Sequence, residues 1–125
     1  MNALQGTWDI VTLELEGRAQ PAAVLAGARI VLDGESFRTE SMGAGYEGRY
    51  AVDTTRTPHT IDVTFTEGPH AGRKSLGIFR LEGDEWTLCL GMAGATRPAA
   101  FVTTPGSSHA LETLRRATPG RGPRA

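Results

Sequence analysis

Apolar and polar residues alternate with period two along most of this chain, and the alternation breaks at glycines. The two most regular breaks share one pattern, "LDGESF" (Leu32 to Phe37) and "LEGDEW" (Leu81 to Trp86). Taking Gly34-Glu35 and Gly83-Asp84 as two-residue loops puts glycine first, where a type II′ turn needs positive φ. The resulting registers oppose Leu32 to Phe37 and Ile30 to Thr39 in one hairpin. In the other they oppose Leu81 to Trp86, Phe79 to Leu88 and Gly77 to Leu90. Directly opposed residues share a sheet face, so the large apolar side chains collect on one side. Moving either loop by one residue would set Leu32 or Leu81 against an acid or a polar residue.

The same alternation predicts the other strands. The first runs from about Gly6 to Glu16, and its parity changes between Trp8/Ile10 and Val11/Leu13/Leu15. Such a change signals a bulge, or a strand exposed differently at its two ends. "QPAAVLAG" (Gln20 to Gly27) reads as a short helix, with proline near its start and Gly27 as its stop. "YEGRYAV" alternates Tyr46, Gly48, Tyr50 and Val52 on one side, and "TIDVTFTE" alternates Ile61, Val63 and Phe65. "PAAFVTT" (Pro98 to Thr104) reads as a further strand, and "HALETLRR" (His109 to Arg116) as a strand or a helical turn. Eight or nine strands in succession leave two bare edges unless the sheet closes. The expected fold is therefore all-β: an up-and-down antiparallel barrel of about eight strands, with one short helix after the first. A barrel of that size is either filled by side chains or holds one small ligand. Phe37, Tyr46, Tyr50, Phe65, Phe79 and Trp86 fall on its inward face with the aliphatic residues, and a buried tyrosine hydroxyl needs a partner.

Composition narrows the classes. The 125 residues keep one style, which predicts a single domain over residues 1–116 and a flexible basic tail over 117–125, with Arg121 and Arg124 among prolines and glycines. Thirteen basic residues against fourteen acidic ones leave a net charge of −1. That balance gives no general attraction to nucleic acid or anionic membranes. Cys89 is the one cysteine, so no internal disulfide forms. No signal-like segment or apolar run of spanning length occurs, and a soluble, cytoplasmic protein is expected.

Motifs that carry chemistry are few. "GAGYEG" (Gly43 to Gly48) fits G-x-G-x-x-G, but a strand pattern follows where a dinucleotide site needs a helix, so it reads as a hairpin loop. His59, His70 and His109 lie far apart without metal-ligand spacing. Cys89 points outward in the hairpin register and reads as a small apolar residue under some cover. Ser107, Ser108 and His109 are adjacent only in sequence, and the acids of the two hairpins are turn residues. No catalytic residue, metal ligand or cofactor is assigned.

"GTW" at Gly6 to Trp8 resembles the Gly-x-Trp signature of lipocalin-type barrels. A closer resemblance is to a family of uncharacterised bacterial lipocalin-like domains, frequent in planctomycetes and myxobacteria. It rests on "LQGTW", "TPHTIDV", "GIFRLEGDEWTLCL", "RPAAF", and "TPGSS" followed by "LETLRR", in order over nearly the whole chain. The glycine-rich "SMGAGYEG" and the "ATPGRGPRA" tail depart from it. The resemblance implies that Trp8 plugs one end of the barrel with Arg115 or Arg116 lying across its indole. It brings no catalytic residues. The functional expectation is binding of a small, largely apolar molecule, contacted by the six aromatic residues named above and oriented by tyrosine hydroxyls with Arg38 or Arg49 at the rim. A filled barrel acting as an interaction module, and a barrel enzyme of cyclase or isomerase type, are the alternatives.

Overall fold

A computed structural model describes residues 4–40, 46–68, 71–92 and 95–117. The strands are β1 (Gly6–Leu15), β2 (Arg18–Ala19), β3 (Arg29–Asp33), β4 (Ser36–Glu40), β5 (Glu47–Asp53), β6 (His59–Glu67), β7 (Lys74–Glu82), β8 (Glu85–Gly91) and β9 (His109–Arg116). One short helix, α1 (Ala22–Leu25), follows Pro21 and buries Leu25. Neighbouring strands pair antiparallel in chain order from β3 to β9, and β1 pairs with both β3 and β9. The sheet is thus a closed eight-stranded up-and-down barrel, with the two-residue β2 folded back on the end of β1.

Both tight hairpins have the register that the alternation requires. Leu32 faces Phe37 and Ile30 faces Thr39; Leu81 faces Trp86, Phe79 faces Leu88 and Gly77 faces Leu90. Gly34 and Gly83 adopt φ of 64° and 61°, the left-handed region open to glycine without steric cost. The parity change on β1 is a register shift between Ile10 and Thr12 in the β1–β9 ladder. "HALETLRR" is strand β9, so Ala110, Glu112, Leu114 and Arg116 share the inner face.

Pro98 to Thr104 is not a strand, contrary to the alternation. A strand needs a free edge to pair with, and β8 already has β7 on one side and β9 on the other. The segment crosses the outer face instead. Arg97 donates to the Ile61 and Gly77 carbonyls at 3.3 and 2.9 Å and pairs with Asp62 at 2.8 Å. Further along, the Arg80 guanidinium lies 4.7 Å from the Phe101 ring centroid, and Thr103 hydrogen-bonds Glu14 and Gly17. This strap covers Cys89, which is fully buried although it points away from the barrel interior.

One end of the barrel is closed. The β3–β4 and β7–β8 turns lie there with residues 4 and 5, and Gln5 exchanges two 2.7 Å hydrogen bonds with the Gly34 backbone. Trp8, Leu114 and Trp86 fill this end, with exposures of 0, 0 and 1 %. Strands β1, β4, β6 and β8 all finish at the opposite end.

Gly48 fits a crowded point of the wall. A Cβ there would overlap the Thr64 carbonyl and come within 2.8 Å of the Phe37 ring. Gly48→Ala is expected to lower stability by about 1–3 kcal/mol through overpacking. Urea unfolding should show a lower midpoint with an unchanged slope.

Candidate functional site

The barrel interior is not filled. A cavity of about 260 Å³ lies between the Trp8 plug and the opposite end. Its lining is mostly apolar: aliphatic residues of β1, β3, β6 and β8 with the rings of Phe37, Tyr46, Tyr50, Phe65 and Trp86. Trp86 marks its deep end, and Leu15, Thr39, Tyr46, Phe65 and Met92 lie toward the strand ends opposite Trp8. Edge-to-face contacts order the aromatic wall, with Phe37 and Phe65 centroids 5.7 Å apart and Tyr46 and Phe65 6.0 Å apart. A depression of about 460 Å³ on the outer face near Arg49, Asp62 and Thr64 is larger and somewhat more open to solvent. Its charged groups are already paired, Arg49 with Glu35 and Asp62 with Arg97, so the interior cavity is the better candidate site.

Of the six aromatic residues expected to meet a ligand, the structure brings five to the cavity wall. Phe79 is the exception. It faces inward but packs in the core against His59, 5.3 Å between centroids, and does not line the cavity. Parity gives the face of a residue, while its depth along the barrel follows from how the strands are staggered on closure. The proposed rim is also corrected. The Tyr50 hydroxyl accepts a 2.6 Å hydrogen bond from Gln5, and Arg38 and Arg49 pair with Glu40 and Glu35 on the outer surface. None of these guanidinium groups reaches the mouth of the cavity.

The plug is built from Trp8 and Arg116. Trp8 Nε1 donates to the Leu4 carbonyl at 2.8 Å, and its ring meets Trp86 edge to face at 5.3 Å. Arg116 lies over the indole at 4.3 Å and donates to the Gln5 carbonyl at 2.8 Å. Arg115 takes no part; it points to the outside, paired in the ladder with Asp9 and Glu85.

One residue of the site escaped the sequence reading. Glu112, 8 % exposed, projects into the cavity from β9, flanked by Leu13 and Leu88. Its Oε1 is buried without a hydrogen-bond partner, and so is Trp86 Nε1. Burial among apolar groups disfavours the carboxylate and raises the Glu112 pKa from 4.5 to about 7. The signal was available: Glu112 lies four residues before Arg116, hence on the same face once the segment is a strand.

The remaining candidates form no site. Ser107 Oγ accepts from the Thr104 and His109 amides, and the His109 ring lies against the Thr96 carbonyl, so the Ser-Ser-His run leads from a turn into β9. Burial pushes the Cys89 thiol pKa up, which leaves it a packing group. His70, residues 43–45 of the glycine-rich loop, and residues 118–125 of the basic tail lie outside the described residues. Among the described residues no cluster of three His, Cys, Asp or Glu is placed to hold a metal, and no helix is long and apolar enough to cross a membrane.

Among solved structures, the chain is similar to a DUF4847 family protein from Bacteroides vulgatus. The two are 11 % identical with a TM-score of 0.54, over 90 % of this chain and 93 % of the other. At that identity the likeness shows the barrel fold alone. No protein-family model and no curated protein matches the chain.

Proposed function

We propose that this protein is a lipocalin-like binder, cytoplasmic as its sequence suggests, that takes one small, largely apolar molecule into the barrel. The observation that carries the reading is the apolar, aromatic-walled cavity of about 260 Å³ beyond a sealed end. The Gly6-x-Trp8 step, with Arg116 across the indole, supports the lipocalin-like assignment. The volume exceeds the roughly 150 Å³ that accepts benzene and falls below the roughly 300–1,000 Å³ of drug-sized sites. A ligand of one or two rings, or a short branched chain, fits it. Burying about 200 Å² of such a molecule contributes roughly 5 kcal/mol before association costs, which places affinity near the millimolar range.

Ala110 tests the reading. It lines the cavity between Leu15 and Leu90, and a leucine there would grow into the empty volume with little clash. Ala110→Leu is expected to stay folded and to lose binding at least tenfold. Titration of both proteins with ethylbenzene, followed by NMR, should show saturable binding to the wild type and at least tenfold weaker binding to the variant. Equal affinity of the two would remove the cavity from consideration.

A barrel enzyme of isomerase type is the second reading, favoured by Glu112 as a buried acid whose pKa is poised near neutrality. Among the described residues, the other titratable side chains on the cavity wall are Tyr46 and Tyr50, and neither is a carboxylate or imidazole to act with Glu112.

A further inference from the structure

The interior carries two polar groups that the described residues leave unsatisfied, and they are neighbours. Leu88 opposes Glu112 across the β8–β9 ladder and Trp86 opposes Leu114, so Trp86 and Glu112 are diagonal on one inner face. Diagonal side chains of this length reach one another. Both line the same cavity, both belong to residues more than nine-tenths buried, and Glu112 Oε1 and Trp86 Nε1 each lack a partner. Buried polar atoms are nearly always paired, and two left unpaired on one cavity wall are placed where a bound molecule can supply the partner.

We propose that the cavity selects an uncharged molecule with a carbonyl oxygen on an apolar body, held by two donors, the carboxylic acid O–H of Glu112 and the indole N–H of Trp86. The inference rests on the reading of the cavity as a ligand site. The indole fixes the chemistry, because it can only donate and so requires an acceptor. An ammonium ligand offers none. A carboxylate ligand would bring a charge into a cavity without a cation, since Arg116 is engaged below the Trp8 ring with Gln5 and Asp84. A carbonyl oxygen has two lone pairs and accepts both donors.

The surroundings of Glu112 set the pH dependence. From β1 and β8 it meets Leu13 and Leu88; Ser75 lies on β7, the strand beyond β8, and Tyr46 and Tyr50 lie across the cavity; Glu14 and Cys89 act on the wall from its outer side. No cation faces it from these positions, so the acid is protonated below about pH 7 and carbonyl binding weakens as pH rises through that value.

Three probes of one shape test the proposal on the full chain: acetophenone, ethylbenzene and 1-phenylethylamine. Affinities come from titrations followed by NMR, and the Trp86 indole N–H resonance reports its own hydrogen bond. At pH 6 acetophenone should bind about 5- to 30-fold tighter than ethylbenzene and shift the indole proton downfield. At pH 8.5 that advantage should shrink several-fold. Glu112→Gln, whose amide donates at every pH, should keep the preference and lose the pH dependence; Glu112→Leu should lose the pH dependence and keep only the smaller preference that the Trp86 indole supplies. Equal affinity for acetophenone and ethylbenzene, or tighter binding of 1-phenylethylamine, overturns the carbonyl assignment and leaves cavity binding standing. Failure of all three probes to bind at millimolar concentration overturns the ligand reading itself, and this inference with it.

Discussion

Trp8→Ala is expected to cost about 3–5 kcal/mol of stability, the range for deleting a buried large aromatic side chain. Globular domains have only about 5–15 kcal/mol in total, so the variant should be marginal at room temperature. The size follows from what the indole holds. It is wholly buried, meets Trp86 edge to face, donates to Leu4 and lies under Arg116. Removing it opens a void at the one place where residues 4 and 5, the β3–β4 turn and the end of β9 meet. Arg116→Met separates the contributions. It keeps an apolar stem over the ring but loses the cation–π contact and the bond to the Gln5 carbonyl, for a smaller loss of about 1–2 kcal/mol. Denaturant unfolding measures both. A midpoint for Trp8→Ala within error of the wild type would mean that the barrel is not anchored at this end.

Raising the pH from 4 to 8 is expected to destabilise the protein by up to about 3 kcal/mol through Glu112 alone. In the unfolded chain this carboxyl ionises near its ordinary 4.5; in the folded chain it holds its proton to about 7. Between those values the native state binds more protons than the unfolded state, so stability falls as pH rises, by about 1.4 kcal/mol per unit. Below 4.5 both states are protonated and above 7 both are ionised, so this group adds no further slope. Glu112→Gln carries no proton to exchange and should flatten the window. It should be more stable than the wild type at pH 8 and close to it at pH 4. Thermal melts of the two proteins at half-unit steps make the comparison. Parallel curves across the window would show that Glu112 is ionised in the native state near its ordinary pKa.

Much of the barrel is legible locally. A hairpin register depends on a turn glycine and on which side chains oppose each other, all within about ten residues, so Leu32–Phe37 and Leu81–Trp86 could be paired from sequence. The shift between Ile10 and Thr12 shows in the same way, as a break in parity. Pro98 to Thr104 alternates like a strand, yet whether an edge is free for it depends on β7 and β9, which are distant in sequence or come later. The choice between Arg115 and Arg116 needed only the knowledge that β9 is a strand with Leu114 inward. Glu112 was overlooked for the same reason, since a carboxylate on a possible helical turn carries no sign that it will be buried.

Alternation and turn chemistry thus determined most of the strands, the two tight hairpin pairings and the inward side chains along them, because each depends on neighbours in the chain. Closure decided the rest. The stagger of eight strands set how deep each inward residue lies, separating Phe79 in the core from Phe65 on the cavity wall. It also left about 260 Å³ unfilled and placed Glu112 beside Trp86 within it. Depth, volume and the company of a buried acid are properties of strands meeting across the barrel, and no stretch of sequence contains them.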